Sequence, residues 1–280
     1  MDRTNIIIYT PIRNAQNWAE TTLFPCGIDV QVIDNCSTDK TVEVLMKRSI
    51  NCAVNPKDYG RIGNWTECID KFIKSDKRWM KWLFAGDELN PLFSDIVDGL
   101  DETIFSSGFI IFDTMDDSDC LHSPKEYGLA YGYNSPEAIA RAVSYYSFGF
   151  NGPIAHMINR EIAKEIQFRQ ELPFIAYELE CLRMASKYGV FWVDAVVGKF
   201  VSKRRLFLQS EQNTVAACVQ IYIIRTEALC VLKNESNDEI QRLKNDITAR
   251  FAVQAFMRSI RQQPFLTLKF IFKRFLTAKK

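Results

Sequence analysis

Over the first 115 residues, short apolar runs of strand length alternate with segments whose apolar positions recur at helical spacing. Ile6 to Thr10 predicts a first strand, stopped by Pro11, and Ala15 to Leu23 predicts a helix. Val30, Val32 and Ile33 predict a second strand that ends on Asp34 and Asn35. Ser37, Thr38 and Asp39 each suit the cap of a helix running from about Thr38 to Arg48. Cys52 to Asn55 reads as a short third strand. In Gly60 to Lys74, the apolar residues Ile62, Trp65, Ile69, Phe72 and Ile73 have helical spacing. Trp79 to Ala85 predicts a fourth strand ending on Gly86, Asp87 and Glu88, and Pro91 suits the first turn of the next helix. Phe109 to Met115 predicts a fifth strand. This alternation predicts an α/β fold with a mostly parallel sheet flanked by helices.

The second half is less regular. Asp113 to Asp119 carries four aspartates and reads as a loop. It lacks the glycine turn and ligand pattern of a calcium loop. Ser135 caps a helix to Tyr146 with Pro136 at its first position, and Asn151-Gly152-Pro153 is a turn. Glu161 to Phe168 and Phe174 to Tyr188 predict helices, and Val190 to Val197 and Lys199 to Ser202 predict strands separated by Gly198. From Gln212 to Arg261 glycine and proline are absent, and two helices broken around Asn234 to Asp238 are expected. The expected division is residues 1–210 as the α/β domain and 211–280 as a C-terminal helical extension. Residues 264–280 alternate aromatic and basic side chains. They suit either a basic amphipathic helix at a membrane surface or a helix packed on the domain with its lysines in water.

Composition narrows the classes. Hydrophobic residues make up 47% of the 280-residue chain, enough for a substantial core. A net charge of +1 argues against nucleic acid as a partner. No apolar run approaches the length of a membrane span, and the N-terminus lacks a signal-peptide pattern, so a cytoplasmic protein is expected. Eight scattered cysteines form no C-x-x-C pair and read as small buried hydrophobes. His122 and His156 are the only histidines, too few for a histidine-rich metal centre. A nucleotide-dependent oxidoreductase would want G-x-G-x-x-G after the first strand, and none is present.

The chemistry concentrates at strand ends, where ligands of open α/β sheets bind. Ile7 to Pro11 with Asn14 forms a strand and a T-P-x-x-N turn. Val32 to Thr41 reads V-I-D-N-C-S-T-D-K-T. Gly60 to Trp65 opens a helix, and Trp82 to Leu89 ends a strand on Asp87-Glu88. In this order and spacing, these stretches resemble the family 2 glycosyltransferases of bacterial cell-surface polysaccharide synthesis, which have a GT-A fold. The match covers about residues 5–95 and continues more loosely to about 210.

The resemblance implies a GT-A-like sheet and a nucleotide-sugar site built from Thr10, Pro11, Asn14, Asp34, Asn35, Arg61 and Asn64. Carboxylates at strand ends suit base and ribose hydroxyl groups, and a guanidinium suits a diphosphate. Asp34 is the candidate for the former and Arg61 for the latter, while Asp39 fits a cap. Where the family has Asp-x-Asp or Asp-Asp, this chain has Asp87 and Glu88, the candidate ligands for Mg2+ or Mn2+. The family's general base is an acid at the start of a helix in the second half, which points to Glu178 or Glu180. Two residues on a helix stand about 200° apart, so both cannot face one site. With Ile175, Leu179 and Leu182 toward the core, Glu178 lies at the flank and Glu180 points to solvent. Arg204 and Arg205 occupy the family's late basic segment and are candidates to clamp the diphosphate.

The implied function is an inverting transferase that moves a sugar from a nucleoside-diphosphate sugar to a hydroxyl of a glycan or lipid-linked acceptor. Contact with the inner membrane face through residues 264–280 is the implied placement. A non-catalytic nucleotide- or glycan-binding protein of the same fold is the alternative.

Overall fold

The first apolar run forms strand β1 (Ile6–Ile12), buried along its length because it lies between β2 (Asp29–Asp34) and β4 (Trp79–Trp82), parallel to both. The structure, a computed structural model, describes residues 2–146, 148–173, 175–201, 215–232 and 235–262. β3 (Cys52–Val54) extends the parallel set beyond β2. The other strands are β5 (Glu88–Leu89), β6 (Phe109–Met115), β7 (Leu121–His122), β8 (Gly132–Asn134), β9 (His156–Asn159) and β10 (Val190–Lys199). Together the described strands make one ten-stranded sheet in the order β3-β2-β1-β4-β9-β6-β10-β5, with β7 beside β6 and β8 beside β10.

The α/β reading holds, and the sheet is parallel from β3 to β4 and again between β6 and β10. A strand missed in the sequence, β9, runs antiparallel between β4 and β6. Gly198 does not break the last strand. A Cβ there would lie 2.6 Å from the Glu88 carbonyl oxygen and from Ile154 Cδ1, so the glycine serves close approach within β10. Asp113 is likewise not in a loop. It belongs to β6 and is buried, its carboxylate accepting from Tyr131 Oη and Trp192 Nε1, each at 2.8 Å.

Strand periodicity sorts the core into two layers. Ile7, Tyr9, Met80 and Trp82 face helix α3 (Gly60–Lys74) and the later helices α5 (Pro136–Tyr146) and α7 (Ala176–Tyr188). Ile6, Ile8 and Trp79 face α1 (Gln16–Thr21), α2 (Thr41–Lys47) and α4 (Phe93–Asp98) through Trp18, Leu45 and Phe93. The expected apolar face of α3 is the face that packs, with Ile62, Trp65, Ile69 and Phe72 all buried. The short helix α6 (Arg160–Ala163) follows β9 and replaces the longer one expected to Phe168.

Two helices, α8 (Val215–Leu229) and α9 (Asn237–Gln262), pack on each other, and α8 packs on α5 and α7. Ile224, Ala228, Leu229, Leu232, Leu243 and Ile247 join the same core layer as α3 and α7. Arg141 pairs with Glu235 and the Tyr145 hydroxyl with Glu239, tying α5 to this unit. No helix among the described residues is long and apolar enough to cross a membrane. Leu243→Ala is expected to lower stability by about 2–5 kcal/mol, the usual cost of emptying a buried leucine site. A urea midpoint unchanged from the parent protein would mean that α9 does not contribute to the core.

Candidate active site

The carboxyl ends of β1, β2, β4 and β6 open into one cleft of about 1100 Å³, reached by Pro11, Asn35, Phe84 and Thr114. The start of α3 adds Arg61, Asn64 and Trp65. Helices α5, α7 and α8 supply Val143, Tyr177, Glu178, Ile221, Ile224 and Arg225, and Ile175 precedes α7 at its cap. A cleft at strand ends is where this architecture places ligands.

Its floor is a network of amides. Asn55 Nδ2 donates to Asn64 Oδ1 (2.9 Å) and Asn35 Oδ1 (3.2 Å), and Asn64 Nδ2 donates to the Ile33 carbonyl (3.1 Å). Asn35 Nδ2 donates to Asp58 Oδ1 at 2.6 Å. The Gly60 N–H, also donated to Asp58 (2.8 Å), holds that carboxyl below its usual range, and Arg13 forms an ion pair with its other oxygen. Asn14, in a left-handed backbone conformation (φ 49°), accepts from the Thr38 N–H (2.8 Å), while its own N–H donates to Ser37 Oγ (2.7 Å). These bonds lock the β1 and β2 ends together.

The structure brings Pro11, Asn14, Asn35, Arg61 and Asn64 to the cleft lining, and leaves Thr10 and Asp34 behind it, both fully buried. Asp34 is turned onto Ser37, accepting from its N–H (2.9 Å) and its hydroxyl. Asp39 accepts from the N–H groups of Thr41 (3.0 Å) and Gln16 (3.3 Å), so it ties α1 to the start of α2 from one residue before the cap position, which Lys40 occupies. Arg61 lies 5.6 Å from the Trp65 ring centroid and donates to the Pro173 carbonyl. Arg204 and Arg205 lie outside the described residues, as do residues 264–280.

At the acidic turn, Asp87 is buried and accepts from the Val201 N–H (3.4 Å), while Glu88 is exposed in β5. The two adjacent carboxylates thus face different surroundings: Asp87 lies just before β5, and Glu88 opens it. Among the described residues, no three acidic, histidine or cysteine side chains converge as a metal site. One buried carboxylate fits Mg2+ or Mn2+ only where phosphate oxygens and water supply the remaining ligands.

The two candidate bases separate on α7. Glu178 lines the cleft. Glu180, expected in solvent, is 3% exposed, accepts from the Gln167 N–H (3.2 Å) and lies 3.5 Å from Arg183. Burial pushes its carboxyl up. The expectation failed because α7 is packed on most sides and has little solvent face.

Several cleft residues escaped sequence reasoning. Tyr177 stacks on His156 with rings 5.5 Å apart and 8° from parallel, and its hydroxyl lies 2.7 Å from His156 Nδ1. Burial, with the Lys81 charge nearby, pushes His156 down to about 3, so it is neutral at ordinary pH. Trp65, Phe84 and Phe168 also surround Tyr177, with ring centroids 6.0, 6.1 and 6.3 Å away. Gln220 of α8 accepts from the Ile175 N–H (3.3 Å), so the C-terminal helix fixes the start of α7.

No family profile matches the sequence, and no curated protein matches it. Solved structures do. S. aureus TarS 1–349 in complex with UDP-GlcNAc superposes with a TM-score of 0.63 at 12% identity, covering 92% of this chain and 75% of that one. The chain has the GT-A glycosyltransferase fold. The mannosyltransferase PcManGT from Pyrobaculum calidifontis, in complex with GDP-Man and Mn2+, gives a TM-score of 0.53 at 11% identity over 99% of this chain and 81% of that one. Glucosyl-3-phosphoglycerate synthase from Mycobacterium tuberculosis, with Mn2+, UDP and glucosyl-3-phosphoglycerate, gives 0.50 at 13% identity over 77% and 79%. In the GT-A frame of this chain, the cleft lies at the strand ends and α8 closes one side of it.

Proposed function

We propose that the protein is an inverting, family 2 type glycosyltransferase that moves a hexosyl unit from a nucleoside-diphosphate sugar to a hydroxyl of a glycan or lipid-linked acceptor in surface polysaccharide synthesis. One observation carries this: among the described residues that line the cleft, Glu178 is the only acid. A carboxylate there takes the proton of the acceptor hydroxyl as its oxygen attacks the anomeric carbon opposite the leaving diphosphate, which inverts the centre. Arg61 offers its guanidinium to the diphosphate, with Pro11, Asn14 and Asn35 beside base and ribose. Asp34 supports the turn that presents them.

Asp87 is the residue that would hold a divalent cation, with phosphate oxygens and water completing the shell. Such an ion, when bound, supplies counter-charge to the diphosphate. We place the protein in the cytoplasm, peripheral at the inner membrane face. Support comes from the eight basic and no acidic residues after Asp246, and from Val253, Phe256 and Met257, exposed on α9.

The thin acidic turn favours a second reading, a non-catalytic nucleotide- or glycan-binding protein of the same fold. Calorimetry with UDP, GDP, CDP and dTDP, with and without Mn2+, separates the two when followed by turnover of the matching sugar nucleotide. We expect one nucleotide to bind, Mn2+ to tighten it at least about tenfold, and Asp87→Asn to remove that gain. Binding without any sugar turnover supports the second reading. No nucleotide binding under either condition counts against both nucleotide-based forms.

A further inference from the structure

The helical wall of the cleft carries two charges. Glu178 stands on α7 and Arg225 on α8. Ile221, Ile224 and Arg225 are spaced i, i+3, i+4, so they share the face that α8 turns to the cleft. Arg225 is partly buried, and burial, with the like charge of Arg250 nearby, acts against its charge. Asp246 is the acid that acts on it, yet the Asp246 carboxylate lies 2.8 Å from the guanidinium of Arg250. Among the described residues, Arg225 itself makes no hydrogen bond or ion pair.

A half-buried cation without a partner is costly, and a ligand anion relieves that cost. The planar guanidinium fork suits a carboxylate or a phosphate. On the proposed reading, a donor diphosphate already has countercharge at the strand-end side of the cleft, from Arg61 and from the divalent cation that Asp87 would hold. Arg225 instead shares its wall with Glu178, and a base must face the acceptor hydroxyl. Ile221, Ile224 and Val143 line the space around it and suit the apolar face of a sugar or polyol.

We propose that Arg225 marks the acceptor subsite and that the acceptor is a glycan or polyol carrying an anionic group, a carboxylate or a phosphodiester. This rests on the glycosyl-transfer reading above.

The test uses the full chain saturated with the nucleoside diphosphate that the calorimetric screen selects. Two probe pairs are titrated: a galacturonate tetrasaccharide with its methyl ester, and an oligo(glycerol phosphate) with its neutral glycerol counterpart. One charged probe is expected to bind at least about tenfold more tightly than its neutral counterpart, and the pair that responds tells carboxylate from phosphodiester. Arg225→Ala should remove that difference and Arg225→Lys should keep part of it, with nucleotide affinity within about twofold of the parent and unchanged thermal melts. Equal binding of charged and neutral members in both pairs overturns the proposal. So does a loss of nucleotide affinity in a folded Arg225→Ala protein, which would make Arg225 a donor contact. If the parent binds no nucleotide at all, the glycosyl-transfer reading fails first, and that result is visible before any probe is added.

Discussion

Replacing Glu178 with glutamine is expected to lower kcat for sugar transfer by about 10²–10⁴-fold and to leave nucleotide affinity unchanged. The substitution keeps side-chain shape and removes only the ability to take a proton. Its neighbours explain why the loss should fall on chemistry. Tyr177, one residue earlier, is held by its contact with His156 and by the surrounding aromatic rings, and Leu179, one residue later, is in the core. The helix start that presents Glu178 is therefore fixed from both sides, and glutamine at 178 does not disturb it. Glu180→Gln provides the contrast. Its side chain is buried against the Gln167 N–H, which an amide oxygen still accepts. That variant should change stability more than kcat. Initial rates at saturating donor, beside melting curves, check the pair. If Glu178→Gln stays within about threefold of the parent while Glu180→Gln loses activity, the base has been misassigned.

The early strands, the first three helices and the buried face of α3 were legible because their signals are local. Alternation and helical spacing are written within ten or fifteen residues of each element. β9 was not legible. His156–Asn159 is four residues long, follows a turn and leads into a short helix, and only its distant partners Met80 and Ile110 make it a strand. Asp34 showed a similar limit. A carboxylate at a strand end reads as open to ligand, but Ser37, three residues on, takes both its oxygens.

The part of the cleft built by α8 had a faint signal. Val215 to Ile224 is apolar around most of its circumference, which means contact on more than one side, yet that does not say with what. Its contacts with α5 and α7 arise from chain segments some 40 to 80 residues earlier. The residues named from the resemblance that line the cleft, among them Asn35, Arg61 and Glu178, sit close to recognisable turns or helix starts. Arg225 lies in no motif, and tertiary packing alone brings it there.

Lys81 should give the protein a stability that rises with pH from about 7 upward. It is fully buried on β4, donates to the carbonyls of Ile154 and His156, and lies 5.6 Å from the ring centroids of both Phe93 and Phe112. Burial pushes it from its ordinary 10.5 down to about 7, with the Asp87 charge pulling the other way. Below pH 7 the folded and unfolded chains both hold the proton, and the folded one bears the full cost of a buried ammonium. Between about 7 and 10.5 the unfolded chain still binds the proton and the folded chain has released it, so stability climbs with pH. At about 1.36 kcal/mol per pH unit, the gain between pH 7 and 9 is roughly 2–3 kcal/mol. Cys52, pushed up to about 11 by burial, and Tyr9, also raised by burial, act in the opposite direction at higher pH. The difference between the parent and Lys81→Met therefore isolates the lysine. Urea unfolding at pH 6, 7, 8 and 9 should show that difference widening in favour of the parent as pH rises. Parallel curves would mean that the ammonium stays charged when folded, with water or a nearby carboxylate stabilising it. Ile154 and His156 lead from Gly152 and Pro153 at the cleft rim into β9, so the same contact decides how firmly that rim is held to the sheet.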